Sequence, residues 1–123
     1  MEANILVVDD DRLNRELVAK VLRKDGYSVV EACDGALALE ILQSISFDLI
    51  ITDFVMPKLN GIKFVEELHS IQPRTPVIFI TGYRSVISRE QMLDDVAEIL
   101  SKPFDLSALR STVQRLLTNS VNC

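Results

Sequence analysis

Four polar positions in this chain follow directly on short apolar runs, and together they could do phosphorus chemistry. Asp9, Asp10 and Asp11 follow the run from Asn4 to Val8, and Asp53 ends the run Leu49, Ile50, Ile51, Thr52. Thr81 follows Val77 to Ile80, and Lys102 follows Val96 to Ser101. Carboxylates brought within a few ångström repel one another unless a cation neutralises them. The candidate ligands are hard oxygens, which suit Mg²⁺ or Mn²⁺ rather than zinc, a metal that prefers His and Cys. A carboxylate beside such a cation can also attack phosphorus and hold the group as an acyl phosphate. A lysine and a hydroxyl nearby would offset charge on the phosphoryl oxygens and donate a hydrogen bond to one of them.

These groups can cooperate only if the chain brings the ends of its apolar runs together. Runs of four to eight apolar residues bounded by turn signals suit strands buried on both faces. Strands are expected at Asn4 to Val8, Ser28 to Ala32, up to Thr52 with Asp53 at its end, Val77 to Ile80 and Val96 to Ser101. Between them apolar residues recur at helical spacing. Leu13, Leu17, Val18, Val21 and Leu22 mark a helix closed by Gly26, and Leu37, Ile41 and Leu42 mark a second after the turn Asp34-Gly35. Ile62, Val65, Leu68 and Ile71 follow Asn60-Gly61, where helical periodicity overrides the hairpin that Asn-Gly can also signal. A short helix is expected around Val86 to Leu93, and a last one carries Leu106, Leu109, Val113, Leu116 and Leu117 with Asp105 or Ser107 near its cap.

Five strands alternating with five helices predict an α/β fold, a doubly wound five-stranded parallel sheet of order 2-1-3-4-5. In that order the carboxyl ends of strands one, three, four and five gather Asp9, Asp10, Asp53, Thr81 and Lys102 on the edge where open α/β sheets hold ligands.

Composition narrows the class. The 123 residues make one domain; 48% are hydrophobic and 25% charged, enough for a core without staples. Net charge is −5, which argues against direct nucleic-acid binding by this domain. Arg84, Arg89, Arg110 and Arg115 read as a solvated surface. Cys33 and Cys123 have no paired or metal-type spacing and read as free thiols in a reducing, cytoplasmic compartment. No signal peptide or membrane-length apolar run is evident. His69, the single histidine, reads as an ordinary surface residue. The residues from Thr118 are polar and expected to fray, with residues 1–119 as the domain and 120–123 as a tail.

Taken together, Val8-Asp9-Asp10, Asp53 with Met56-Pro57 and Gly61, Thr81-Gly82, and Lys102-Pro103-Phe104 closely resemble the receiver (response-regulator) domain of two-component signalling, with its flavodoxin-like, CheY-like fold. The resemblance covers residues 3 to 118, with its motifs in order and at normal spacing. It implies that Asp53 is the phosphoacceptor, served by a histidine kinase or histidine phosphotransfer protein. It further implies that Asp10, Asp53 and the backbone carbonyl of Val55 bind Mg²⁺ directly, with Asp9 helping through water. Lys102 would contact the phosphoryl group, with a cis bond to Pro103, and Thr81 would move toward it as the switch. Pro57, Gly61 and Pro103 would be structural. Asp11 reads as a helix cap. The last helix and the surface beside the last strand would dock an output domain or protein, or form a homodimer. Such a domain is a signalling phosphoacceptor rather than an enzyme, either free-standing or part of a longer regulator.

One position departs clearly from the family pattern within that resemblance, and two more bear on how long a phosphoryl group would last. The family usually has Tyr or Phe three residues before the lysine, and Ile99 stands there. A stiff, short β-branched side chain cannot make the aromatic's inward swing. Output is therefore expected through loop and helix shifts around Gly82 to Val86 and the last strand. Val55 and Tyr83, two residues after Asp53 and Thr81, flank the expected path of a hydrolytic water, which favours slow loss of phosphate. Competing classes fit less well. Aspartate-nucleophile phosphatases place a second acid where Val55 stands, and a flavodoxin-like cofactor binder would not put three acids where a phosphate must sit. A non-phosphorylated, partner-binding receiver homologue would lack Asp53 or Lys102, and both are present.

Overall fold

The computed structural model describes residues 3–53, 55–56, 59–81, 96–101 and 105–121. Strands β1 (Asn4–Val8), β2 (Ser28–Ala32), β3 (Leu49–Asp53), β6 (Val77–Thr81) and β7 (Val96–Ser101) form one parallel sheet of order β2-β1-β3-β6-β7. Counting these strands alone, the order is the expected 2-1-3-4-5. Helices α1 (Arg12–Lys24), α2 (Gly35–Leu42), α3 (Gly61–Ile71) and α4 (Leu106–Val121) are the helices among the described residues. The helix expected around Val86 to Leu93 lies outside them. Helical backbone in α4 continues to Val121, through most of the stretch that reads as a polar tail.

Alternation along the strands builds two cores. Ile5, Val7, Leu49, Ile51, Ile78 and Ile80 meet α1 and α4 on one face. Leu6, Val8, Ile50, Val77, Phe79 and Ile99 meet α2 and α3 on the other, where Phe64 and Leu68 are fully buried. Strands buried on both faces are largely apolar, as Ile5 to Val8 and Leu49 to Ile51 are, with Thr52 and Asp53 the buried polar residues at the carboxyl end of β3.

The inward stripe of α1 differs from the expected one. It runs Arg15, Val18, Ala19, Leu22, spaced i, i+3, i+4, i+7, while Leu13 and Leu17 are 77% and 46% exposed. Of the expected set, Val18 and Leu22 are buried and Val21 half-buried, while Leu13 and Leu17, which satisfy helical spacing equally well, lie outside the inward stripe. In α2 the buried residues are Gly35, Ala38 and Leu42, and Leu37 faces water. Between β3 and α3 the chain adds a small antiparallel pair, β4 (Val55–Met56) with β5 (Leu59–Asn60). Asn60 is a strand residue of this pair and Gly61 opens α3, so Asn60-Gly61 leads into a helix as its periodicity predicts and is not itself the hairpin turn.

Local chemistry starts and stops the helices. Asp11 caps α1, its side chain accepting from the amides of Leu13 and Asn14. Asp34 caps α2 through the Leu37 amide at 2.7 Å, and the Asp105 carboxylate accepts from the Ser107 amide at 2.9 Å at the start of α4. Gly26 ends the α1 turn at φ 98°, a left-handed conformation that costs glycine little. At the amino edge of the sheet Gln72 latches the loop before β3, donating to the carbonyls of Leu42 and Ile45 and accepting from the Phe47 amide. His69 shares that end, its Nε2 2.9 Å from the Thr75 carbonyl oxygen, remote from the carboxyl edge. No helix among the described residues is long and apolar enough to cross a membrane.

Two arginines that read as plain solvated surface hold defined ion pairs. Arg115 donates to Glu98 at 2.7 Å, and Arg110 donates through Nε and Nη2 to both oxygens of Asp25 at 2.7 and 2.8 Å, tying α4 to the end of α1. The Arg110 guanidinium holds the Asp25 carboxyl below its ordinary value of 3.8. A carboxylate whose folded pKa is depressed contributes stability above its unfolded value and loses it as pH falls through the folded one. The stability difference between the native protein and Asp25→Asn should therefore be constant at neutral pH, begin to shrink near pH 3.8 and vanish once pH falls below the depressed folded value; a pH series of urea melts checks this, and a difference that persists in strong acid would rule the pair out as its source.

Candidate phosphoacceptor and cation site

Parallel register brings the acids together. Val8 pairs with Thr52 across β1 and β3, so the next residues along, Asp9 and Asp53, leave the sheet side by side. Asp9 and Asp53 are 6% and 7% exposed, while Asp10 lies open to solvent. One carboxylate oxygen from each of Asp9, Asp10 and Asp53 lies within 4.8 Å of the others. Two ionised carboxylates at that separation repel by about 3 kcal/mol at an effective dielectric near 20. Positive charge brought to such a cluster relieves that repulsion.

The loop after β1 is held at several points. The Asp9 amide donates to the Ala32 carbonyl at 3.1 Å, continuing the β1–β2 ladder by one bond. Its carboxylate accepts from the Asp11 amide at 2.9 Å, and its carbonyl accepts from Arg15 Nη1 at 2.9 Å. Asp11 thus has two duties: its side chain caps α1 and its amide holds Asp9. The Thr52 hydroxyl donates to the Asp53 carbonyl at 3.2 Å. Hard oxygens held this way fit Mg²⁺ or Mn²⁺, since Mg²⁺ takes one or two carboxylates and keeps several waters.

Of the other expected site residues, Thr81 ends β6 in register with Ser101 of β7, one strand away from Asp53, which pairs with Ile80. Val55 opens β4, two residues beyond Asp53, so its backbone comes soon after the end of β3. Gly61 is the first residue of α3. Ile99 packs in the α2–α3 core opposite Phe79 in the β6–β7 register. Pro57, Gly82, Tyr83, Lys102, Pro103 and Phe104 lie outside the described residues.

The family model of the response regulator receiver domain matches residues 5–114. The chain belongs to that family, the receivers of two-component signalling. It is 37% identical to the response regulator receiver protein CpdR of Brucella abortus, over 92% of this chain and 95% of that one. It is 39% identical to the response regulator MprA of Mycobacterium bovis, over 95% of this chain but only 51% of the relative, so it spans about half of that protein. Among solved structures, the chemotaxis response regulator CheY4 of Vibrio cholerae superposes with a TM-score of 0.86 at 34% identity, covering 94% of this chain and 99% of that one. The doubly wound CheY-like fold expected from the sequence is thus shown independently by topology and by likeness.

Sequence reasoning missed Arg15. Its only signal is position: it stands three, four and seven residues before Val18, Ala19 and Leu22, at the head of a stripe that is otherwise apolar. An arginine there points inward.

Proposed function

We propose that this chain is a phosphoacceptor switch in which Asp53 takes a phosphoryl group from a histidine kinase or histidine phosphotransfer protein in a Mg²⁺-dependent reaction. The observation that carries the reading is the convergence of Asp9, Asp10 and Asp53 within 4.8 Å at the carboxyl edge of the sheet. Asp10, Asp53 and the Val55 carbonyl would hold the cation directly, and Asp9 through water. When bound, the cation offsets the charge of the acids and of the incoming phosphoryl oxygens. An Asp53 oxygen attacks phosphorus; the P–N bond to the donor imidazole breaks as the P–O bond forms, and the imidazole nitrogen keeps the electron pair. Lys102 pairs with a phosphoryl oxygen and the Thr81 hydroxyl donates to another, which pulls the end of β6 toward the site. The surface from β6 to α4 then changes its affinity for an output domain or protein, or for a second copy of the chain.

The chain is a signalling phosphoacceptor rather than an enzyme with turnover, and it acts in the cytoplasm, in keeping with the exposed free thiol of Cys33. MprA, about half of whose length lies outside the matched region, supports an output domain as one partner.

Incubation with acetyl phosphate and Mg²⁺ should add one phosphoryl mass to the intact protein. Asp53→Asn, or removal of the metal, should abolish the gain; a gain that survives Asp53→Asn would move the acceptor elsewhere. Because Val55 offers no polar group to orient water, the phosphorylated protein should decay slowly, and Val55→Asn should decay several-fold faster by phosphate release. Equal rates would remove Val55 from the control of lifetime. Ile99→Val should cost about 1 kcal/mol of stability and leave the phosphorylation-induced amide shifts intact. Loss of those shifts would make Ile99 packing part of the switch.

A further inference from the structure

Arg15 is a charged residue on the buried stripe of α1, and its guanidinium bonds to β2 and to the residue that directly follows β1, beside the acidic edge. Its side chain is only 15% exposed. Nη1 donates to the carbonyl of Asp9 at 2.9 Å, and Nε donates to Glu31 Oε1 at 3.3 Å. Glu31 lies on β2 one residue before Ala32, whose carbonyl accepts the Asp9 amide. Arg15 therefore spans the join between β1 and β2 at the point where the chain leaves the sheet toward Asp10. Glu31 is itself fixed from the other side: Arg23 Nη1 donates to Oε2 at 3.2 Å, while Arg23 Nη2 donates to the Val29 carbonyl at 2.8 Å.

A partly buried guanidinium is costly unless it is paired and its donors are used. A leucine at this place would extend the Val18, Ala19, Leu22 stripe with no such cost. What the arginine adds is a fork that holds one backbone carbonyl and one carboxylate at once, which lysine, a point charge with a flexible stem, cannot reproduce.

We propose that Arg15, braced by Glu31, is a positioning residue that sets the Asp9–Asp10 backbone for cation binding. This rests on the reading of Asp9, Asp10 and Asp53 as the Mg²⁺ site. Positioning and plain charge predict opposite signs. Removing a cationic side chain close to the acids would, through charge alone, tighten a bound metal ion. Loss of the carbonyl clamp weakens it, as changes to the groups that orient metal ligands commonly do, by about tenfold or more.

The test titrates Mn²⁺ into the intact, unphosphorylated chain and reads free Mn²⁺ by electron paramagnetic resonance. Arg15→Met should weaken binding about tenfold, and Arg15→Lys, which keeps the charge and loses the fork, should also weaken it by several-fold. Arg110→Met breaks the exposed pair with Asp25 far from the acids and controls for general loosening; it should bind as the native protein does. Unchanged or tighter binding in Arg15→Lys overturns the proposal, and that variant carries the test if Arg15→Met does not fold. An equal loss in Arg110→Met also overturns it. Failure of the native protein to bind Mn²⁺ at all overturns the cation-site reading and this inference with it, an outcome distinct from native binding that the Arg15 variants leave unchanged.

Discussion

Mutual repulsion among Asp9, Asp10 and Asp53 is the constraint on which the rest of the structure depends. Bringing these oxygens within 4.8 Å runs against electrostatics, so the scaffold must hold them there. The parallel sheet does this with backbone bonds that do not respond to charge. Val8 opposite Thr52 sets Asp9 beside Asp53, and two hydrophobic cores lock β1 and β3 in that register. A slip of one residue would turn every apolar side chain of a strand to the other face, so register is firmly specified where both faces are buried.

The same constraint explains the placement of charge around the edge. Asp11 is spent on capping α1 and on holding the Asp9 carboxylate by its amide, which keeps a further neighbouring acid out of the cluster. Arg15 brings a guanidinium to the Asp9 carbonyl, and Glu31, held in turn by Arg23, braces it. At the opposite edge the polar work is structural: Gln72 and Thr75 satisfy backbone groups of the loop before β3, and His69 Nε2 lies against the Thr75 carbonyl before β6. Chemistry and closure are thus segregated to the two ends of one sheet, as the crossovers of a doubly wound fold permit.

Membership in the receiver family and the geometry of the acids reach the same conclusion by separate routes. Likeness to CpdR and CheY4 establishes the family and fold; the clustering of carboxylates rests on this chain's own register and burial. Ile99, the position expected to differ from the family pattern, is buried opposite Phe79 and packs in the α2–α3 core.

Much of this was legible in the linear chain. The five strands of the main sheet, their polar ends, the Asp11 cap and the Gly26 stop arise from local composition, because a doubly buried strand is largely apolar and a helix end must satisfy its own amides. Strand order came from the handedness of crossovers, a global rule that needs no coordinates. Periodicity could not decide which flank of α1 faces the sheet: Leu13 and Leu17 match the helical period, yet Arg15 turns inward and they turn outward. Nor could it foresee the β4–β5 pair or the Arg110–Asp25 tie, which join residues through local backbone geometry and across 85 positions of chain. The sequence alone determined which residues could do the chemistry and on which elements they ride. Only tertiary structure decided how helix faces turn and which distant charges meet, because rotation and pairing are settled by competition among all surfaces at once, and no single segment carries that outcome.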